Sequence, residues 1–239
     1  MIASRCSMFW GLPFAFLPVV MALAGPASAA EPAVSLPPPT HDAAAAGDNL
    51  QTVVLAGGCF WGVQGVFEHT KGVVHAVSGY SGGTKETAHY EMVGTEKTGH
   101  AESVQITYDP KQISYGKILQ IYFSVAHNPT ELNYQGPDSG PSYRSAIFFA
   151  DDEQKEIAAA YIAQLDKARV FREPIVTKLE PLHGFYPAEN YHQDFLVLHP
   201  TYPYIVFNDL PKVENLKRLF ADYYRADPVT VAAGGKPTQ

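Results

Sequence analysis

The residue types most suited to chemistry meet at Cys59, in the run Gly57-Gly58-Cys59-Phe60-Trp61-Gly62. The apolar residues 53–56 read as a buried central strand. The spacing of Trp61, Val63, Val66 and Phe67 predicts a helix behind it, ending before Gly72. The thiol therefore falls at a helix N-terminus. Its glycine neighbours let the backbone turn sharply and approach a ligand. There the helix dipole and unpaired N–H groups are expected to lower the thiol pKa from ~8.5, favouring the nucleophilic thiolate. The plainer alternative is a core cysteine packed among apolar neighbours. Phe60 and Trp61 are open in the same way, as core aromatics or as walls of a pocket for a small apolar group.

Glu102 shares strand parity with Val104, Ile106 and Tyr108, which places it on the face expected to be buried. A carboxyl there is costly when charged, so its pKa should rise above ~4.3 and a neutral group could donate a proton. The alternative is that it lies just before the strand, in solvent. Residues 134–145 form a turn-rich loop whose tyrosines could point hydroxyls into a site. His183, His192 and His199 are too far apart for a compact metal motif, and Ser81-Gly82-Gly83 lacks the context of a dinucleotide loop. No metal or nucleotide is implied, and His192 reads as structural or orienting.

The elements that must position these groups follow from periodicity. Strands are expected over 73–78, 102–108, 144–150 and 175–180. Ser114 caps a helix carrying Ile118, Ile121, Tyr122 and Val125, and Asp151 and Asp152 open another with Ile157, Tyr161 and Leu165. Tyr191, Phe195 and Leu198 suggest a further helix. The last helix should start near Pro211 and run through Val213, Leu216, Phe220 and Tyr223. The first six elements run β-α-β-β-α-β, the order of a ferredoxin-like split βαβ sandwich. The fold class read from this is α/β (α+β), a two-layer sandwich on a mixed sheet with a C-terminal extension.

The chain has 239 residues, 46% of them apolar, and a net charge of -7 with no Lys/Arg block. That composition supplies a sizeable core and argues against a nucleic-acid partner. Arg5 is the only charge before Glu31, and the apolar stretch 8–23 leads into Ala27-Ser28-Ala29. Pro13 and Pro18 interrupt it, and it falls short of the ~20 residues of a spanning helix. Residues 1–29 are read as a cleaved signal peptide, with export to a bacterial periplasm expected. Residues 30–49 are rich in Pro and Ala and read as a flexible linker, 50–227 as the folded domain, and 228–239 as a loose tail. Cleavage would remove Cys6 and leave Cys59 as a lone thiol.

Taken together, these residues resemble the A-type peptide methionine sulfoxide reductases. The motifs are Gly58-Cys59-Phe60-Trp61-Gly62, Gly79-Tyr80-Ser81-Gly82-Gly83 and Gly99-His100-Ala101-Glu102, then Tyr108-Asp109-Pro110, Asp138, Tyr143-Arg144-Ser145 and Tyr191-His192-Gln193. The resemblance runs in order over 53–199. It implies a ferredoxin-like α/β sandwich and reduction of the S epimer of methionine sulfoxide, free or in proteins, as repair under oxidative stress. By the same resemblance Cys59 attacks the sulfoxide sulfur, and Glu102 hydrogen-bonds and protonates the departing oxygen. Tyr90 and Tyr143 help hold that oxygen. Phe60 and Trp61 receive the S-methyl group, and Asp138 lies near the substrate backbone.

One departure is informative. Many relatives carry C-terminal resolving cysteines, and no cysteine follows Cys59 here. A sulfenic acid on Cys59 would then be attacked directly by an external thiol, such as a thioredoxin-like protein, or dithiothreitol in vitro, with no cofactor. No lasting membrane association is expected after cleavage, and the chain is read as a monomer. Two other readings use the same features: a cysteine hydrolase or acyltransferase with His192 as base, and a non-enzymatic peptide-binding module on the same fold.

Overall fold

The computed structural model describes residues 32–43 and 49–231. The stretch read as a signal peptide lies outside them. Strand β1 (Gln51–Gly57) continues through Cys59 into helix α1 (Phe60–Glu68), and β2 (Val73–Ser81) returns. After a short helix α2 (Tyr90–Val93) comes β3 (Ala101–Tyr108), which lies between β1 and β2 and is antiparallel to both. Helix α3 (Tyr115–Ile121) begins where the Ser114 hydroxyl accepts from Lys117 N at 3.1 Å, the N-cap expected from the sequence.

A small hairpin, β4 (Tyr134–Gln135) and β5 (Asp138–Ser139), precedes β6 (Ser145–Phe149), which pairs antiparallel with β1. Asp151 then caps α4 (Asp152–Ala168) by accepting from Gln154 N at 2.8 Å. The central order β6-β1-β3-β2 is that of the split βαβ sandwich. β7 (Lys178–Pro181) extends it in parallel beside β6, and β8 (Phe185–Pro187) extends it antiparallel beside β2, so the sheet is mixed. The strand expected over 175–180 is thus shorter at its start.

Alternation along β1 makes the two layers. Val53 and Leu55 join the core formed with Val66 and Phe67 of α1, Ile118 of α3 and Ile157 of α4. Val54 and Ala56 face the other way, with Ala101, Ala146 and Phe148.

The expectation of a single helix through Tyr191, Phe195 and Leu198 is corrected. A 3-10 turn (Asn190–His192) is separated from α5 (Phe195–Leu198) by Asp194 at φ 55. Gln193 cannot continue a helix because its amide serves the sheet, donating to Ser78 O at 2.9 Å and Ala188 O at 3.0 Å. The last helix, α6 (Leu210–Leu219), is entered through a π-helical turn (Ile205–Asp209) and stops before Tyr223, which lies in a separate 3-10 turn (Ala221–Tyr223).

The flexible-linker expectation also fails for residues 32–43, which pack as a strap. Leu36 is buried, Gln120 donates to Leu36 O at 2.7 Å, and the Tyr161 hydroxyl donates to Pro37 O at 2.8 Å. Asp42 accepts from the Ser114 hydroxyl at 2.6 Å and Gly116 N at 2.7 Å, adding an anion at the start of α3. The composition of the segment hides these bonds, because prolines retain good carbonyl acceptors. The start of the tail is held as well. Val229 N donates to Glu68 O at 3.0 Å and Val231 N to the Asp194 carboxylate at 2.8 Å; residues 232–239 lie outside the described residues.

Candidate active site

Gly58 takes φ +84, and a Cβ there would come within 2.6 Å of Gln135. This is the turn that aims Cys59. Gln135 is itself fixed, accepting from Asn128 N at 2.9 Å and donating to Asn128 O at 2.7 Å. The β4–β5 hairpin is thereby docked under the thiol, which sits at the N-cap of α1 and is 8% exposed.

Glu102 is buried, as strand parity predicted, and its Oε2 accepts from Phe60 N at 3.0 Å. Burial raises its pKa to about 8 despite that hydrogen bond, with the Asp138 and Glu96 carboxylates adding to the rise. At neutral pH it is a protonated acid beside the thiol.

The expected drop in the thiol pKa is overturned. Burial pushes Cys59 well up, and the Glu102 and Asp209 carboxylates add to it; the Trp61 backbone N–H and the Lys212 ammonium pull the other way. A helix terminus contributes at most ~2 kcal/mol, about one and a half pKa units, whereas full burial shifts a group by up to about 3–5 units. At neutral pH the site therefore holds a thiol rather than a thiolate.

A cavity of about 200 Å³ opens over Cys59. Phe60, Trp61, Tyr90, Glu102, Asp138 and Tyr143 all line it, so the sequence-derived site residues converge. Tyr90 is placed by Glu189, whose carboxylate accepts from Tyr90 N at 3.0 Å and from the Tyr80 hydroxyl at 2.9 Å. Tyr143 ends a 3-10 turn (Pro141–Tyr143) clamped by Arg144, which donates to Pro141 O, Gly99 O and Glu180. Burial raises the pKa of both tyrosines, with Glu102 adding to it, so their hydroxyls remain donors.

Trp61 stacks on Phe195 at 3.9 Å, and its indole N–H donates to His192 Nδ1 at 3.2 Å. That bond assigns the proton of the neutral imidazole to Nε2 and gives His192 an orienting role. The segment carrying His192 is stapled in turn by Gln193, whose Oε1 accepts from Ser78 N at 2.9 Å and from Gln64 at 3.2 Å.

Sequence reasoning missed Tyr202 and Tyr204, which complete the cavity wall. The Tyr204 hydroxyl donates to Asp138, so this carboxylate is held by the C-terminal extension. It also missed Asp209 and Lys212, packed against the first turn of α1. A signal was available for Asp209, an acidic residue between the apolar run Ile205-Val206-Phe207 and Leu210.

A buried thiol, a carboxyl whose pKa is raised and two phenols line one small, partly aromatic cavity, able to hold an apolar group and to donate hydrogen bonds to an oxygen on it. The comparisons agree. The profile of the family described as Peptide methionine sulfoxide reductase matches residues 51–223, and the chain belongs to this family. It is 67% identical over 181 residues to Peptide methionine sulfoxide reductase MsrA 2 of Mesorhizobium japonicum, covering 76% of this chain and 93% of that one. With the protein of the same description from Synechocystis it shares 48% identity over 176 residues, 74% and 82% of the two chains. Among solved structures, reduced Mxr1 from Saccharomyces cerevisiae is similar at TM-score 0.57 and 32% identity, over 64% of this chain and 87% of that one. Methionine sulfoxide reductase A of Corynebacterium diphtheriae follows at TM-score 0.55 and 31% identity, over 72% and 87%.

Proposed function

We propose that this chain reduces the S epimer of methionine sulfoxide through Cys59, with Glu102 as the acid. The observation that carries the mechanism is Glu102, buried on the wall of the cavity that also holds the thiol, where burial raises its pKa to about 8. A sulfoxide oxygen is a poor leaving group, so a thiolate alone is insufficient. The S-methyl group enters between Phe60 and Trp61, and the oxygen meets Glu102 and the hydroxyls of Tyr90 and Tyr143. The Cys59 sulfur gives up its proton and bonds the sulfoxide sulfur while Glu102 protonates the oxygen, which leaves as water after taking a second proton from solvent; water then attacks the Cys59 sulfur, breaking the S–S bond and returning a proton to solvent. The products are methionine and a sulfenic acid on Cys59.

Regeneration falls to outside thiols. Cys59 is the free cysteine among the described residues, and no cysteine follows it in the chain. One external thiol displaces water from the sulfenic acid to give a mixed disulfide, and a second releases Cys59 and leaves with the first as a disulfide. A thioredoxin-like dithiol supplies both. The apolar N-terminal stretch supports export, and a periplasmic protein of this kind would repair oxidised exported proteins. The test is dimedone trapping after reaction with methionine S-sulfoxide and no reductant. One label on Cys59 per methionine formed is expected; methionine without a trapped or thiol-linked Cys59 would overturn the mechanism.

A further inference from the structure

Asp209 and Lys212 form an ion pair inside the protein, 3.2 Å apart, with side chains 0% and 11% exposed. Two apolar side chains would fill such a site with little loss of stability. What they would not supply is charge, and the pair lies where charge matters. A Cβ on Gly62 would fall 2.1 Å from Asp209 Oδ1 and 2.9 Å from Lys212 Nζ, so both heads press on the first turn of the helix that Cys59 begins. Asp209 Oδ2 finds no hydrogen-bond partner among the described residues, leaving its charge incompletely met.

We infer that this pair is a charge regulator for Cys59: the Lys212 ammonium favours the thiolate, and Asp209, by holding that ammonium, limits how far. The inference deepens the reductase reading and rests on it for its purpose. It explains how a buried thiol is kept from ionising fully at rest while a cation remains close enough to help once substrate arrives. A thiolate permanently exposed to an unopposed ammonium would be open to over-oxidation.

The groups facing Cys59 come from several elements. Glu102 is on β3, Tyr90 on α2, Asp138 on β5, Tyr143 on the turn before β6, and Tyr202 and Tyr204 on the C-terminal extension. Lys212 is also felt by Asp138 and His127. Of these, the Glu102 carboxylate has the strongest charge effect on the thiol, so the test is run with Glu102→Gln as background.

The measurement is the pH dependence of iodoacetamide alkylation, followed on the Cys59 peptide by mass spectrometry. Lys212→Met should raise the midpoint by about one pH unit, and Asp209→Asn should lower it by a similar amount. Lys212→Arg should keep it near the parent value. A role confined to packing would leave the midpoints unchanged or move both in one direction, and either result overturns the proposal. Should Lys212→Met fail to fold, the Asp209→Asn and Lys212→Arg midpoints decide alone. Alkylation involves no sulfoxide, so an absence of sulfoxide turnover in the native chain would count against the reductase reading and not against these shifts.

Discussion

Replacing Glu102 with glutamine separates the chemistry of the carboxyl from the consequence of burying it. The amide keeps an oxygen to accept from Phe60 N and can still donate toward the substrate, but it has no proton to lose. The folded carboxyl titrates at about 8, against ~4.3 in the unfolded chain. Because the folded value is raised, its contribution to stability is fully present below pH ~4.3 and is lost as pH rises through about 8. At 1.36 kcal/mol per unit, keeping the proton costs roughly 2 kcal/mol at pH 6 and roughly 4 kcal/mol at pH 7. The glutamine variant is thus expected to gain stability over the parent as pH rises from 5 to 8, while losing most of its turnover. Urea unfolding at a series of pH values, read by Trp61 fluorescence, measures the difference. A stability difference that stays constant across that range would refute the buried, neutral carboxyl and the acid role built on it.

The native enzyme should show an alkaline decline in turnover centred at about pH 8, as Glu102 loses its proton, and the glutamine variant should lack that decline in a steady-state pH profile. His192→Leu removes the acceptor that orients the half-buried Trp61 indole; a lost hydrogen bond is worth about 0.5–1.5 kcal/mol, so KM should rise by up to about tenfold with a smaller change in kcat. Deleting residues 1–43 exposes the seat of Leu36 and breaks the bonds to Tyr161 and Gln120. Relative to a chain starting at residue 32, a loss of roughly 3 kcal/mol is expected by denaturant unfolding, with kcat unchanged.

Much of the fold was legible because its signals are local. The parity of Glu102 with Val104 and Ile106, and the Ser114 and Asp151 caps, each involve residues within a few positions of one another. The cavity residues read from motifs converge in space, yet the motifs themselves divide by role. Gly79-Tyr80-Ser81-Gly82-Gly83 and Gly99-His100 secure the ends of β2 and β3, with His100 accepting from Gly83 N at 3.2 Å and bonding Thr84 O at 2.9 Å. What the sequence hid depends on distant partners. Gln193 breaks an apolar helical pattern by bonding strand β2, and the strap rests on Tyr161 and Gln164 well over a hundred residues away. The thiol pKa went the wrong way because helix position is readable from sequence, whereas the depth of burial that outweighs it is set by the hairpin and the C-terminal extension.

The central claim, that Cys59 is the nucleophile that reduces the sulfoxide and is itself oxidised to the sulfenic acid, is tested most directly by single-turnover reaction of the separated sulfoxide epimers with the native chain and with Cys59→Ser, without reductant. The account predicts one methionine per native chain from the S epimer and none from the serine variant. Full conversion by Cys59→Ser would contradict it.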